Sequence, residues 1–524
     1  MTPASVRVVV GEKDIQSINP DSILIEMRIK HEVNQHSTCF LEYRQTPDKP
    51  FDLTDYHGLY LEVFVQLSDG TEFSVFCGTV QGATHRHFTS GAFHLQLLGT
   101  GNTMDLDHQN RFFTYKQPNF TDKIKTITDR AVEVDPAVVV NDQTALDSFL
   151  PRSYQLGETD WLHLLAEASD AGLMLVPDGT KLFALDHFQP SPTTLKWREE
   201  GGLIEFQVST RFIPANRRGV NYDREDFKSK IFEKIQDDPK RLGAVPNICD
   251  NTKKMNVSDL IQGAKPEVTM QPESSAEADL KMDSRRALAQ SVRGIGTSRE
   301  AALLLGRTVD IQSGAEFSGK WGIIRLVHMW TQTGYMNEFE CTPFDSGICV
   351  PQVELPRVPW SFRARVKSAP VRETGRIQIQ FPWEDGDESL FWPWITPHAG
   401  ADRGFCYPPE VGDEVLVQFH NGDAAEPFIL GSAWNGKELP PLEDLHGNEF
   451  NNNDIKRIVT KSGNRMVMDD KQGKETIVVA TPKHVRVSLF DGGSTLVLHS
   501  DGDIHINAGG TIHMKCHQFL RQVG

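Results

Sequence analysis

Residues 375–435 read GRIQIQFPWEDGDESLFWPWITPHAGADRGFCYPPEVGDEVLVQFHNGDAAEPFILGSAWN. Ile377, Ile379 and Phe381 alternate with polar residues, and an acidic turn that begins with Pro-Trp follows them. A second strand pattern at 415–419 leads through an Asn-Gly-Asp turn into a third apolar run. Period-two alternation interrupted by glycine and asparagine turns is typical of short strands in a small antiparallel barrel.

The order of these strands and turns resembles the OB-fold of the spike proteins of contractile injection machines. These are the VgrG proteins of type VI secretion and the tail spikes of contractile phages. Two further segments resemble the VgrG hub: YQLGETDWLHLLAEASDAGLMLVPD, which starts at Tyr154, and RLVHMWTQTGYMNEFECTP at 325–343. The resemblance implies a homotrimeric, membrane-piercing tip that acts mechanically and has no chemistry of its own.

The composition restricts the class of protein. A net charge of −17 argues against a nucleic-acid binder, whose affinity rests on clustered Lys and Arg. The sequence has no apolar run of about 18 residues and no secretory signal at its N-terminus. Seven scattered cysteines without a CxxC pair fit free thiols in a reducing compartment. We therefore expect folding in a reducing cytosol and export without a signal peptide. The resemblance implies assembly in the bacterial cytoplasm and release as part of a phage tail-like particle.

The domain organisation is predicted to be mainly β. The resemblance implies a hub at 1–350 with two barrel-like β-domains and a few helices, and an OB-fold at 360–436. Linkers are predicted at 351–359 and 437–455, and a triple-stranded β-helical needle at 456–524.

Three helices are predicted in the hub. One lies near 121–132 with Thr121 as its N-cap, and a second begins after Thr159 and ends near Gly172. Thr297 with Glu300 forms a capping-box pattern that predicts the third.

An eight-residue repeat marks the C-terminal region. Apolar pairs recur at Leu496 and Leu498, Ile504 and Ile506, and Ile512 and Met514. A similar upstream pair, Val485 and Val487, is out of phase across an Asp-Gly-Gly turn. So short a strand-turn unit cannot bury its own apolar face. Three parallel copies would bury about six side chains per layer, on the order of 10 kcal/mol as an upper estimate.

Candidate metal ligands cluster near the C-terminus. They are His499, His505, His513, Cys516 and His517. The alternation that points Ile512 and Met514 inward points His513 and His517 outward, which favours surface histidines over a metal site. A site formed by an inward turn of the terminus remains the alternative, and we assign no metal or cofactor.

Three tryptophans of the barrel, Trp383, Trp392 and Trp394, admit two interpretations. They could stack on carbohydrate, as OB-folds can, or fill the core and an interface together with Phe381. We favour core and interface. His328 lies in an apolar strand and is predicted to be half-buried and hydrogen-bonded.

The sequence lacks three common catalytic or nucleotide-binding motifs. It contains no HExxH, GxSxG or GxxxxGK[ST] pattern, and the linker at 437–455 is too short for a lysozyme domain. We expect no enzyme. A trimeric hub that degrades glycans or binds cargo or a receptor is the alternative.

The family resemblance also implies partners. They are tube-initiator and baseplate proteins, a PAAR-like tip protein, effector cargo and the target membrane, without nucleic acid. The predicted needle is shorter than in typical type VI spikes, which favours the compact spikes of extracellular contractile injection particles.

Overall fold

The computed structural model describes residues 3–520 with gaps. The larger gaps are 16–20, 46–52, 142–145, 147–153, 198–201, 212–216, 224–227, 235–262, 265–285, 313–316, 344–352, 386–389 and 442–453. Isolated residues are also left out at 54–55, 117–118, 132, 287–288, 291, 354, 425–426 and 484. The chain divides into two compact units, Met1–Gly431 and Ser432–Gly524, and each is described by itself.

The first unit opens with antiparallel strands. They are β1 (Pro3–Val10), β2 (Lys13–Asp14), β3 (Ile23–Glu32), β4 (Thr38–Gln45), β5 (Tyr60–Leu67), β6 (Glu72–His87), β7 (Phe93–Thr100) and β8 (Asn110–Thr114). A 3₁₀ helix spans Asn102–Asp107. A mixed segment of helices and short strands follows. Its elements are α1 (Phe120–Thr128), β9 (Asp135–Val139), β10 (Tyr154–Thr159), α2 (Asp160–Asp170), β11 (Met174–Asp178) and β12 (Lys181–Leu185).

The chain then returns to β structure. The strands are β13 (Thr194–Lys196), β14 (Leu203–Thr210), β15 (Arg217–Asp223), β16 (Lys228–Lys234), β17 (Gly263–Ala264), β18 (Val292–Ser298), β19 (Thr308–Gln312), β20 (Gly319–Thr331) and β21 (Gly334–Pro343). The prediction of a mainly β fold is confirmed.

One thirteen-stranded sheet forms the body of the hub. Its order is β14-β18-β21-β20-β3-β4-β7-β6-β5-β1-β2, with β19 joined to β20 and β13 to β19. The antiparallel pair β3–β20 joins two halves of the sheet, each with its own apolar core. Trp321 and Phe339 belong to one core, and Leu41 and Leu97 to the other. The division of the hub into two barrel-like β-domains remains a prediction.

Helix α2 begins and ends as its sequence predicts. The Thr159 side chain accepts a hydrogen bond from the backbone N–H of Leu162, 3.2 Å away, and so caps the helix. Gly172 follows the helix with φ 77°, the left-handed conformation that glycine adopts without a steric penalty. In α1 the N-cap is Asn119, two residues before the predicted Thr121.

The third predicted helix, from Thr297 with Glu300, is wrong. Thr297 belongs to β18, which pairs with β14 on one side and with β21 on the other. Residues 301–302 and 305–306 form turns instead. The Ser298 hydroxyl donates to Asn337 and accepts from the N–H of Glu300, so the local capping signal stabilises the end of a strand.

A histidine pair, with His328 buried and His31 half-buried, lies where β3 meets β20. His328 is only 2% exposed, so the prediction that it is half-buried is wrong, whereas the predicted hydrogen bond is present. Its Nδ1 lies 2.6 Å from the Tyr335 hydroxyl, and its ring centroid is 5.8 Å from that of His31. Burial lowers the pKa of His31, and burial together with His31 lowers the pKa of His328 to about 3.

The OB-like barrel completes the first unit. Its strands are β22 (Phe362–Val366), β23 (Ile377–Gln380), β24 (Phe391–Trp392), β25 (Ala399–Gly400), β26 (Arg403–Gly404), β27 (Glu414–Phe419) and β28 (Pro427–Ser432). A 3₁₀ turn at His420–Gly422 precedes the last strand. Ile377, Ile379, Val415 and Val417 are all 0% exposed, which confirms the predicted alternation.

The second unit contains one five-stranded sheet. Its strands are β29 (Ile455–Val459), β30 (Arg465–Asp469), β31 (Thr476–Ala480), β32 (Arg486–Phe490) and β33 (Thr495–His499), in that order and all antiparallel. Residues 500–520 follow without a strand in the described chain. The predicted limits of the needle and linkers remain predictions.

Candidate functional site: exposed apolar rows and a barrel–hub junction

The C-terminal sheet is an up-and-down meander held by tight turns. Gly463 and Gly473 adopt φ values of 87° and 73° in the first two turns, in the region that favours glycine. Ser494 takes a φ of 48° in the last turn. These turns keep neighbouring strands in continuous register from Ile455 to His499.

Cross-strand pairing aligns apolar side chains in two rows on one face. The first row contains Ile458, Met466, Val479, Val487 and Leu498. The second row contains Met468, Ile477, Leu489 and Leu496. Because residues two apart in a strand share a face, both rows lie side by side. We call these nine residues the apolar face.

The apolar face is open to solvent in the single chain. Met466 is 38% exposed and Leu496 is 60% exposed, with the other members between these values except for the half-buried Met468. On the opposite face, Val467 is 1% exposed and Val478 is 6% exposed. A contiguous apolar surface of this kind marks an interaction site.

The upstream valine pair is out of phase with the eight-residue repeat, and the hairpin register explains the offset. The hairpin after β32 reverses the chain, so Val487 lies opposite Leu498 and Leu489 lies opposite Leu496. Val485 precedes the strand. The antiparallel hairpin therefore aligns the two strands although their apolar residues do not follow the eight-residue spacing. Leu489, which the repeat did not identify, could have been found from its alternation with Val487.

The repeat continues beyond the sheet as exposed chain. Ile504, Ile506, Ile512 and Met514 are 53%, 57%, 47% and 65% exposed. No strand partner covers them within the described part of one chain. Their predicted role in a trimeric needle core, together with Leu496 and Leu498, remains a prediction.

The C-terminal histidines lie at the surface. His505, His513, His517 and Cys516 are exposed. His499 Nε2 lies 3.2 Å from a carboxylate oxygen of Asp501. Among the residues that the structure describes, no three His, Cys, Asp or Glu side chains come together as a metal site.

The barrel tryptophans form a junction with the hub. Trp383 stacks on Phe381, with ring centroids 4.6 Å apart and planes 5° apart. Its indole N–H donates to the hydroxyl of Thr114 on β8, 3.3 Å away, and its ring lies 5.4 Å from that of Phe112. The same Thr114 hydroxyl donates to Glu384, at 2.7 Å.

Strand β10 contributes directly to the barrel core. Tyr154 and Leu156 are buried among the barrel's apolar residues. The indole N–H of Trp392 donates to the Tyr154 hydroxyl over 2.7 Å, and burial raises the pKa of that hydroxyl well above its usual value. Trp394 donates to the carbonyl of Gly375 at 3.0 Å. These contacts place the tryptophans against the barrel core and its junction with the hub of the same chain. Their predicted part in a trimer interface remains a prediction.

A buried polar network supports this junction from the hub side. Lys123 of α1 and Glu167 of α2 form an ion pair with both side chains 0% exposed. Asp160 accepts from Arg111 at 2.8 Å and from Arg130 at 2.7 Å. Sequence reasoning missed this network, because its charged residues are far apart in the chain. Because the carboxylates of these ion pairs are shielded from water, the pairs hold α1, α2 and the β8–β10 pair in fixed positions relative to one another.

No described helix is long and apolar enough to cross a lipid bilayer.

Comparison with known proteins gives matches of two kinds. A sequence profile described as "Type VI secretion system/phage-baseplate injector OB domain" matches residues 362–434. The "Actin cross-linking toxin VgrG1" of Vibrio cholerae is 26% identical over 245 residues, or 42% of this chain and 22% of that protein. The spike protein VgrG4b of Pseudomonas aeruginosa is 32% identical over 162 residues, or 28% of this chain and 20% of that protein. The chain spans about a fifth of the length of these relatives.

Solved structures share the fold. An E. coli type VI secretion component, described as similar to the T4 tail proteins gp27 and gp5, has a TM-score of 0.54 and 12% identity. The match covers 82% of this chain and all of that one. A VgrG complex with PdpA from Francisella gives a TM-score of 0.60 at 8% identity, covering 94% of this chain and 87% of that one. At these identities the likeness concerns the fold alone.

Proposed function

The chain belongs to the VgrG family of spike proteins, and from this premise we propose that it is the structural hub and spike at the tip of a contractile injection system. In this role a homotrimer connects the tube and baseplate to a membrane-piercing needle. The observation that carries the proposal is the apolar face of the C-terminal sheet, with its continuation through Ile504 and Met514.

The apolar face supports assembly on energetic grounds. Covering about nine half-exposed apolar side chains stabilises an assembly by on the order of 10 kcal/mol per chain, as an upper estimate. Association costs about 4–15 kcal/mol in lost translational and rotational freedom. Burial of this face therefore offsets that cost when several copies contribute to one core.

Copies of the same chain are the occupant that fits best. Every copy presents the same two rows, so three sheets arranged about a threefold axis cover one another without any further element. Residues 504–514 continue the alternation of the sequence and would add layers to the same core. We infer a homotrimer from this geometry and from the family.

The remaining partners follow from the role of a spike. We propose contacts of the hub with tube-initiator and baseplate proteins, and carriage of effector cargo. The exposed Phe519 and Leu520, at 75% and 80%, are the surface that a PAAR-like tip protein would cover. Capture of that protein by wild type but not by a Phe519→Asp/Leu520→Asp variant tests this contact, and equal capture would place it elsewhere.

We propose that the chain acts by structure rather than by catalysis. The similarity to curated relatives concerns their spike part, although one of these relatives bears the name of an actin cross-linking toxin. A peptidoglycan zymogram with the purified protein tests this proposal. A cleared zone would establish the glycan-degrading alternative.

The function is tested in cells by replacing the native gene. Leu498→Asp places a charge in the apolar face, whereas Thr495→Asp places one on the opposite face of the same strand. We expect electron micrographs of released or cell-bound particles to show none with Leu498→Asp and normal numbers with Thr495→Asp. Normal, active particles in a strain that lacks the gene would contradict the spike role.

A further inference from the structure

The C-terminal region differs in charge from the rest of the chain. Residues 455–524 contain ten Lys or Arg against six Asp or Glu, a net +4 in a chain of net −17. This charge asymmetry favours anionic partners for the C-terminal region, because a basic segment attracts anionic surfaces that the acidic rest of the chain repels.

The cations gather at one end of the five-stranded sheet. Arg465 and Arg486 flank Ala480 as its direct cross-strand partners, so they lie two strands, or about 10 Å, apart. Ala480 adds only a methyl group between them. The turns at this same end carry the exposed Lys461 and Lys483. We call these four basic residues the cationic end.

The opposite end of the sheet has the reverse balance. Its final row includes Asp469, and its turns carry four further charged residues besides Asp491. These four are Asp470, Lys471, Lys474 and Glu475. Acidic groups thus outnumber basic ones there. At the cationic end the four basic residues face one carboxylate in contact with the same row, Asp501, which lies 3.2 Å from His499, so the excess of positive charge is at that end.

We propose that the cationic end binds the phosphate head groups of an anionic membrane surface. The proposal rests on the proposed function only for the number of copies, since a trimer presents three such ends. Each Lys or Arg close to an anionic bilayer adds to its attraction, and these contributions accumulate over copies held together.

A lipid surface fits this end better than a nucleic acid. Lipid phosphates move laterally, so sparse cations about 10 Å apart can each meet one. Binding of single-stranded nucleic acid relies on aromatic platforms that stack bases. The row that contains Arg465 and Arg486 continues through Ala480 to His499 and holds no Phe, Tyr or Trp.

The experiment measures flotation of the full chain with vesicles. Phosphatidylcholine vesicles that contain about one third phosphatidylglycerol are compared with pure phosphatidylcholine vesicles, at low and at raised salt. We expect binding only to the anionic vesicles, weakened by salt, as for any screened attraction. Arg465→Gln/Arg486→Gln should reduce partitioning at least about tenfold.

Two further variants keep this result interpretable. Lys461→Gln/Lys483→Gln removes charge from the turns and leaves the strands unchanged. It should also weaken binding to anionic vesicles, and it tests the role of charge even where Arg465→Gln/Arg486→Gln disturbs the sheet. Lys471→Gln/Lys474→Gln removes the same number of charges from the opposite end, and should stay within about twofold of wild type.

Three outcomes would overturn the inference. They are equal binding to neutral vesicles, unchanged binding after loss of the cationic residues, and tighter binding to an RNA oligonucleotide than to anionic vesicles. The mass of each variant is measured in parallel by light scattering. Charge-dependent vesicle binding by a monomer would contradict the trimer while leaving this inference intact.

Discussion

In the barrel, Ile377 and Ile379 are 0% exposed, because strands of the same chain close over them. In the C-terminal sheet, Leu489 and Leu496 occupy equivalent alternating positions and are 45% and 60% exposed. Both regions carry period-two alternation, so both form strands with one apolar face. Alternation therefore determines which face is apolar, and the topology determines whether the same chain or a partner covers it.

The largest expected effect is in the self-covered barrel. Val415→Asp puts a carboxylate at a position that is 0% exposed, where desolvation is not compensated, and should destabilise the barrel by more than about 4 kcal/mol. Denaturant unfolding should show the loss at any protein concentration. The matched change Gln378→Asp, on the outer face of β23, should be nearly neutral.

A second, smaller effect is expected in the C-terminal sheet, whose apolar face we propose is covered by copies of the chain. Leu489→Asp should raise the trimer dissociation constant at least about a hundredfold, because three carboxylates would meet in an apolar core. The dissociated monomer should keep its strand content, since Leu489 is already 45% exposed in one chain. Dilution series followed by light scattering and circular dichroism measure both quantities.

The eight-residue repeat beyond the sheet, at 504–514, should respond in the same way to a charge on its apolar side. Ile504→Asp and Ile506→Asp should disrupt the needle, whereas His505→Asp should be mild because the alternation points it to water. Equal thermal shifts for the three variants would show that the predicted register is wrong. This comparison also tests whether 504–514 joins the core that Leu496 and Leu498 begin.

The buried His328 predicts acid lability of the hub that is independent of assembly. The folded-state pKa of His328 is lowered to about 3, so its stabilising contribution is complete above about pH 6.5 and is lost as pH falls towards 3. About 2–3 kcal/mol should be lost by pH 4.5. His328→Gln should flatten this pH dependence in urea unfolding, whereas the exposed His87→Gln should leave it unchanged.

The smallest effect is expected at the barrel–hub junction. Tyr154→Phe removes the hydroxyl that accepts from Trp392, 2.7 Å away, and leaves the ring packing in place. The cost should be about 1 kcal/mol, since one neutral hydrogen bond is lost. Unfolding that remains a single transition would show that the aromatic contacts alone keep barrel and hub coupled.

Local signals predicted much of the fold. The alternation at 377–381 and the Thr159 cap each depend on neighbours within a few residues, and both appear in the structure as predicted. The capping box at Thr297 failed because β18 pairs on both sides, and two ladders of backbone hydrogen bonds outweigh one local cap.

Long-range contacts could not be read from the sequence. The Lys123–Glu167 pair joins two helices whose surfaces look merely amphipathic in sequence, and Tyr154 enters a barrel more than 200 residues away. For the apolar face, the repeat pointed to Leu496 and Leu498, whose place in a trimer core remains a prediction. Their antiparallel neighbours followed only from the hairpin register.

Sedimentation equilibrium of the wild-type chain tests the central claim most directly. If copies of the chain cover the apolar face, the measured mass at micromolar concentration is three times the 58.8 kDa of one chain, and it stays so over a wide dilution range. A mass of 58.8 kDa at those concentrations would contradict the account, because the nine residues of the apolar face would then remain exposed to water.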